Sequence, residues 1–357
     1  MMLKTLRILI TVFFLTVAAC THLPAQGGKT ITTEPCEIAE GLHDGYYHYS
    51  RGVRSYLEGN LEDTIREYKK ALDCDPESPY LKTEIAKVYL QKEDIKEALS
   101  VLKGSLVHHP DYVDTHLLLG GIYTKLKEYD NATREYKKVI QLDSNNLESY
   151  LFLGLIYREK KEYDEAINIL NNLLKIDSYN LMGNYYLAKI HIQTKSYDKA
   201  EDLLKKVLAI KSSFEPALTD LAFVYENQNN DQKALEFFRK FIGDNPFIQT
   251  ARVQLGRILF RQERYKEAAK EFEIVLDEDR SNIEARYSLG LSYYFDGSDY
   301  KKATEEFLTI LKKHPGDIRT RYFLALSYDK NGQYTKAFEE FKAVPADSNL
   351  YASSRIH

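Results

Sequence analysis

From residue 45 onward, apolar residues recur at i, i+3, i+4 and i+7, the spacing of an amphipathic helix, and these stripes come in pairs that repeat every 34 residues. In the first stripe of a period, a large apolar residue, a small one and then an aromatic hold fixed offsets. They are Ile85-Ala86 with Tyr89, Leu119-Gly120 with Tyr123, Leu153-Gly154 with Tyr157, Leu221-Ala222 with Tyr225, Leu289-Gly290 with Tyr293, and Leu324-Ala325 with Tyr328. In the second stripe a small residue precedes a bulky one by four, as in Ala132 and Tyr136, Ala166 and Leu170, Ala268 and Phe272, and Ala303 and Phe307. Pro76, Pro110, Pro246 and Pro315 close periods at one equivalent place, where a residue without an N–H ends a helix. Each period therefore predicts two antiparallel helices. Glycine inside a helix costs about 1 kcal/mol relative to alanine, so Gly120, Gly154, Gly256 and Gly290 predict places where two helices approach closely.

This pattern resembles the tetratricopeptide repeat, whose signature runs W-x₂-L-G-x₂-Y, then A-x₃-F, then P. The resemblance covers residues 45–351 and divides them into nine units: 45–78, 79–112, 113–146, 147–180, 181–214, 215–248, 249–282, 283–317 and 318–351. It implies an all-α, right-handed superhelical solenoid whose stacked units bury a continuous core. The eighth unit is one residue longer, the extra residue falling in Phe295-Asp296-Gly297-Ser298-Asp299, a turn by composition. Residues 352–357 read as a short cap or as the start of a tenth unit. The chain departs from the signature in having no Trp, in Arg51 and Thr64 of the first unit, and in Ser144, Ser178, Ser212 and Arg280 at the closing position. Tyr129, Tyr163, Tyr197, Tyr265, Tyr300 and Tyr334 mark the start of second helices.

In this family the first helix of each unit lines a concave groove, and the resemblance places ligands there. The groove set is then Tyr49, Leu117, Leu151, Tyr185, Val253, Tyr287 and Tyr322 at one equivalent position, with Tyr56, Leu90, Arg158, Ile192, Phe260 and Tyr294 at another. It is apolar and aromatic, suited to an extended or helical peptide. The Lys, Asn and Arg combination with which some relatives clamp acidic C-termini does not occur. A second reading makes the chain an accessory lipoprotein for exopolysaccharide secretion or assembly, with sugar rings stacked on the aromatic groove.

Composition narrows the chemistry. The formal charge of −4 is mixed along the chain, which gives no basic face for nucleic acid. The repeats occupy the whole chain after its first 44 residues, leaving no space for a catalytic domain, so the expectation is a protein that is not an enzyme and uses no cofactor. No CxxC or HExxH accompanies His108-His109, and no metal site is expected. Pairs such as Glu135 with Lys138 and Glu271 with Lys270 read as solvated surface charge.

The start of the chain is different in kind. Lys4 and Arg7 precede an apolar run from Ile8 to Ala19 that is too short to span a bilayer, the layout of an export signal over residues 1–19. Val17-Ala18-Ala19-Cys20 resembles the lipobox of bacterial lipoproteins, which implies cleavage before Cys20 and acylation of its thiol, several chains together making a firm anchor. The alternative is an ordinary secretory signal with Cys20 near the cut. Residues 20–44, with Pro24, Gly27, Gly28 and Pro35, read as a flexible tether. Export would expose Cys36 and Cys74 to an oxidising compartment, where they either pair or stay as two thiols. The resulting expectation is a scaffold lipoprotein of the bacterial envelope, on the outer membrane facing the periplasm because Thr21 follows the cysteine, with protein or peptide partners. Were the groove set free of core contacts, replacing Tyr287 and Tyr322 by Ala would weaken partner capture and leave circular dichroism and melting unchanged.

Overall fold

The computed structural model describes residues 36–346, 348, 350 and 354, with side chains from residue 44. The signal and lipidation motif lie outside these residues. Every element among those described is helical. The chain divides into two compact units, one up to Leu81 and one from Lys82 onward.

The first unit holds the hairpin α1 (Cys36–Leu57) and α2 (Leu61–Cys74) and the start of α3 (Pro79–Gln91). Helix α1 begins nine residues inside the segment expected as tether. Pro35 lies just before it, and within residues 36–44 only Gly41 disfavours helix, so the stripe of the first repeat simply extends backward. The hairpin closes on Gly52, where a Cβ would lie 2.3 Å from the Tyr68 ring, and Tyr49 stacks on that ring at 5.5 Å. A free, exposed thiol is found at Cys74, whose Cβ lies opposite Gly45. The Cys36 side chain, and with it the Cys36–Cys74 pairing, lies outside the described residues.

The second unit continues with α4 (Ile95–His108), α5 (Val113–Lys125), α6 (Tyr129–Leu142), α7 (Leu147–Glu159), α8 (Tyr163–Ile176), α9 (Leu181–Gln193) and α10 (Tyr197–Ile210). After them come α11 (Glu215–Asn227), α12 (Asp231–Asp244), α13 (Gln249–Arg261), α14 (Tyr265–Glu278), α15 (Ile283–Asp296), α16 (Tyr300–Lys313), α17 (Ile318–Lys330) and α18 (Tyr334–Lys342). One first helix and one second helix fall in each 34-residue period, and the recurring Tyr is the first residue of α6, α8, α10, α14, α16 and α18.

Small residues seat large ones throughout. A Cβ on Gly154 would come within 2.7 Å of Leu170, on Gly256 within 2.7 Å of Phe272, on Gly290 within 2.7 Å of Phe307, and on Gly120 within 2.9 Å of Tyr136. The bulky partner in each case is fully buried. Burying such a side chain contributes about 1.5–3 kcal/mol.

Two devices fix the connections. At the fifteenth position of every period the backbone is left-handed: Gly59, Glu93, Lys127, Lys161, Lys195, Asn229, Glu263, Gly297 and Gly332. Six of these are not glycine, so the turn between paired helices is imposed by their packing against a local cost of about 1 kcal/mol each. In three of the four periods that close on Ser144, Ser178, Ser212 or Arg280, an aspartate takes over the turn. Asp143, Asp177 and Asp279 accept the backbone N–H two residues on, from Asn145, Tyr179 and Ser281. The last second helix, α18, has nine residues where its counterparts have fourteen. Pro345, which can neither donate nor continue a helix, lies three residues past its end.

The glycine rule has a direct check. Gly154→Ala should destabilise the protein by about 1–3 kcal/mol because Leu170 must shift, whereas Gly104→Ala, whose Cβ meets nothing within 4 Å, should stabilise by about 0.5–1 kcal/mol in urea titrations.

Candidate functional site

The fifth, ninth and twelfth residues of a period lie i, i+4 and i+7 along the first helix and therefore share a face. The ten residues Tyr49, Tyr56, Leu117, Leu151, Tyr185, Ile192, Phe260, Tyr287, Tyr294 and Tyr322 are all half-buried. In the second unit each packs on the core beneath it while keeping an open edge: Leu117 and Leu151 on one cluster, Tyr185, Ile192 and Phe260 on the next, and Tyr287, Tyr294 and Tyr322 on the last. Val253 differs, being only 6% exposed, and belongs to the core.

Toward the end of the second unit these side chains merge into an aromatic ladder. Phe295 meets Phe260 at 5.6 Å and Tyr265 at 5.8 Å between ring centroids. Phe323 is reached by Phe295 at 6.3 Å, Tyr294 at 5.9 Å and Tyr287 at 6.2 Å, and Tyr322 continues the series to Phe341 at 5.8 Å. Its most open ring is Phe295, 47% exposed. On α11, Phe223 is 46% exposed and lies midway along the same stripe between Thr219 and Glu226. Both escape a reading of only the fifth and twelfth positions: Phe223 is the i+4 residue between them, and Phe295 is i+8 from Tyr287, one residue past Tyr294.

Charge enters this face sparingly. Arg158 lies with its guanidinium 5.3 Å from the centre of the Tyr186 ring, and Lys189 pairs with Asp220 at 2.9 Å. Burial and the neighbouring Asp220 carboxylate raise the Tyr185 hydroxyl, and burial pushes Tyr287 up to about 12. Both phenols stay neutral donors at any physiological pH.

Elsewhere the charges are less scattered than the sequence suggested. Glu135 does not pair with Lys138 but accepts from His116 Nδ1 at 2.6 Å, and Glu271 accepts from Arg252 at 3.2 Å rather than from Lys270. The same link from the fourth residue of a period to the second helix recurs as His48–Glu67, Arg286–Glu306 and Arg321–Glu340. In three periods the cation also bonds a backbone carbonyl six residues earlier, in the preceding loop: His116 to Pro110, Arg286 to Arg280, and Arg321 to Pro315. A cation nineteen or twenty residues before a glutamate was the available signal.

Two open clefts of about 340 and 350 Å³ share Glu273 and Tyr293. Lysines, arginines and carboxylates line them together, and the Tyr293 hydroxyl donates to Glu273 while Lys302 lies over its ring, so these groups are mutually satisfied. Among the described residues no group of His, Cys, Asp or Glu could hold a metal ion, and no helix is long and apolar enough to cross a membrane.

Comparison with known families now decides the fold. Tetratricopeptide repeat models match residues 113–146, 217–247, 253–318 and 291–350, and the model for anaphase-promoting complex, cyclosome, subunit 3 matches 131–207. The chain belongs to the tetratricopeptide repeat family. RNA polymerase II-associated protein 3 of Xenopus laevis is 26% identical over 96 residues, 27% of this chain and 14% of that protein. Hsp70-Hsp90 organizing protein 2 of Arabidopsis thaliana is also 26% identical over 96 residues, 27% of this chain and 17% of that one. The match thus spans less than a fifth of either relative. Among solved structures, a tetratricopeptide repeat protein from Parabacteroides merdae ATCC 43184 covers 70% of this chain and 99% of its own, at 17% identity and TM-score 0.47. MamA from Desulfovibrio magneticus RS-1 covers 48% and 97%, at 17% identity and TM-score 0.44. Proteins built from these repeats bind protein or peptide partners and are typically non-enzymatic scaffolds.

The ring contacts revise what substitution of the ladder should do. Tyr287 meets Phe307 at 5.9 Å as well as Phe323, so Tyr287→Ala should lower stability by about 2 kcal/mol in denaturant titration; an unchanged midpoint would show those contacts to be energetically empty.

Proposed function

We propose that this tetratricopeptide repeat protein is a non-enzymatic scaffold of the bacterial cell envelope, held by lipid on Cys20 at the outer membrane and gripping an extended or helical peptide along its first helices. The observation that carries the peptide-binding part is the aromatic ladder with its open ring Phe295, together with the open Phe223 on the same stripe of α11. Rings packed from behind and bare in front bury large area at little conformational cost, as favoured at protein interfaces. The envelope part rests on the export signal and the Val17-Ala18-Ala19-Cys20 motif.

Cross-linking in the native envelope followed by mass spectrometry tests the reading, with Cys20→Ala as the unanchored control. One or more protein partners should be captured by the native chain, and Cys20→Ala should leave the membrane fraction. Phe223→Ala should cut capture at least fivefold while circular dichroism and melting stay unchanged, since the ring is already half in solvent. Retarded migration of the purified domain in polysaccharide gels, with no protein captured, would instead favour the glycan-handling alternative.

A further inference from the structure

We infer that His116 is a doubly protonated, titratable rivet joining the third repeat to the loop that precedes it. Its Nδ1 lies 2.6 Å from Glu135 Oε2 and its Nε2 lies 2.8 Å from the Pro110 carbonyl oxygen. Both partners only accept hydrogen bonds when Glu135 is ionised, so both ring nitrogens must carry protons. A neutral imidazole has one N–H and would turn a lone pair toward one of them.

The repeat supplies its own controls. Arg286 and Arg321 make the same pair of contacts, to a second-helix glutamate and to the carbonyl six residues earlier, with a cation that never titrates. Among the contacts of the described residues, the third repeat makes this double contact with a group able to lose its charge near neutral pH. The ring is buried. The other charged groups around it are Lys138, whose field opposes protonation, and Asp111, which pairs with Lys138 at 2.7 Å and offsets that field. Burial works against the cation, but the bonds to Glu135 and Pro110 outweigh it, and the balance raises the imidazole above its ordinary 6.5. The sign follows: the rivet's stabilisation is complete below about pH 6.5, the unfolded value, and is lost as pH rises through the higher folded value. His116 adjoins Leu117 of the first-helix stripe, so the joint lies at the edge of that face.

Nitrogen-detected NMR of the imidazole rings in the full chain, with His116→Gln used for assignment, reads the claim directly. At pH 6 both His116 nitrogens should be protonated, and the ring should titrate above 6.5. Amides of residues 110–117 should lose about tenfold protection from hydrogen exchange between pH 6 and 9, after correction for the intrinsic rate. In His116→Arg that loss should disappear, because the charge persists. Titration at or below 6.5, or identical protection profiles for native chain and His116→Arg, would overturn the inference.

Discussion

The structure depends on one steric constraint: a missing side chain on the first helix of a repeat is filled by a large side chain from its second helix. Gly120 takes Tyr136, Gly154 takes Leu170, Gly256 takes Phe272 and Gly290 takes Phe307. In the first repeat Gly52 takes Tyr68, although its flanking Arg51 and Thr64 depart from the family signature. The seat sets the spacing of paired helices, which in turn sets where the next pair can lie. The left-handed turns at Lys127, Lys161 and Lys195 are held there against their own preference.

Much of this is legible in the amino-acid sequence. Steric seats repeat with the period, so the alternation of small and large residues gave away helix pairs and the tyrosines that open second helices. What escaped notice was substitution of one device by another. Asp143, Asp177 and Asp279 do the work of a closing proline by accepting a backbone N–H, and no proline-based pattern finds them. The helix over residues 36–44 was missed because glycine and proline upstream coloured the whole segment as tether.

The candidate surface was legible in outline and not in energetics. Spacing alone placed Tyr287, Tyr294 and Tyr322 on one face, but only packing shows that Phe323 sits among them and ties the rings of the candidate face to the core. The candidate face and the core are therefore tied together at that end, whereas Phe223 on α11 has 46% of its surface open. Charges were misread for a related reason. A glutamate is nearer in sequence to the lysine beside it than to the cation nineteen residues away, yet the hairpin brings the distant one into contact, as for Glu135 and His116.

The most direct measurement is a double-mutant cycle on Gly256 and Phe272, reading unfolding free energies of Gly256→Ala, Phe272→Leu and the double variant. If the seat governs the stack, the smaller leucine makes room for the added methyl, and the double variant should be more stable than the two single losses predict by about 1 kcal/mol or more. Additivity within about 0.5 kcal/mol would mean that the two residues do not sense each other, contradicting the account at its root.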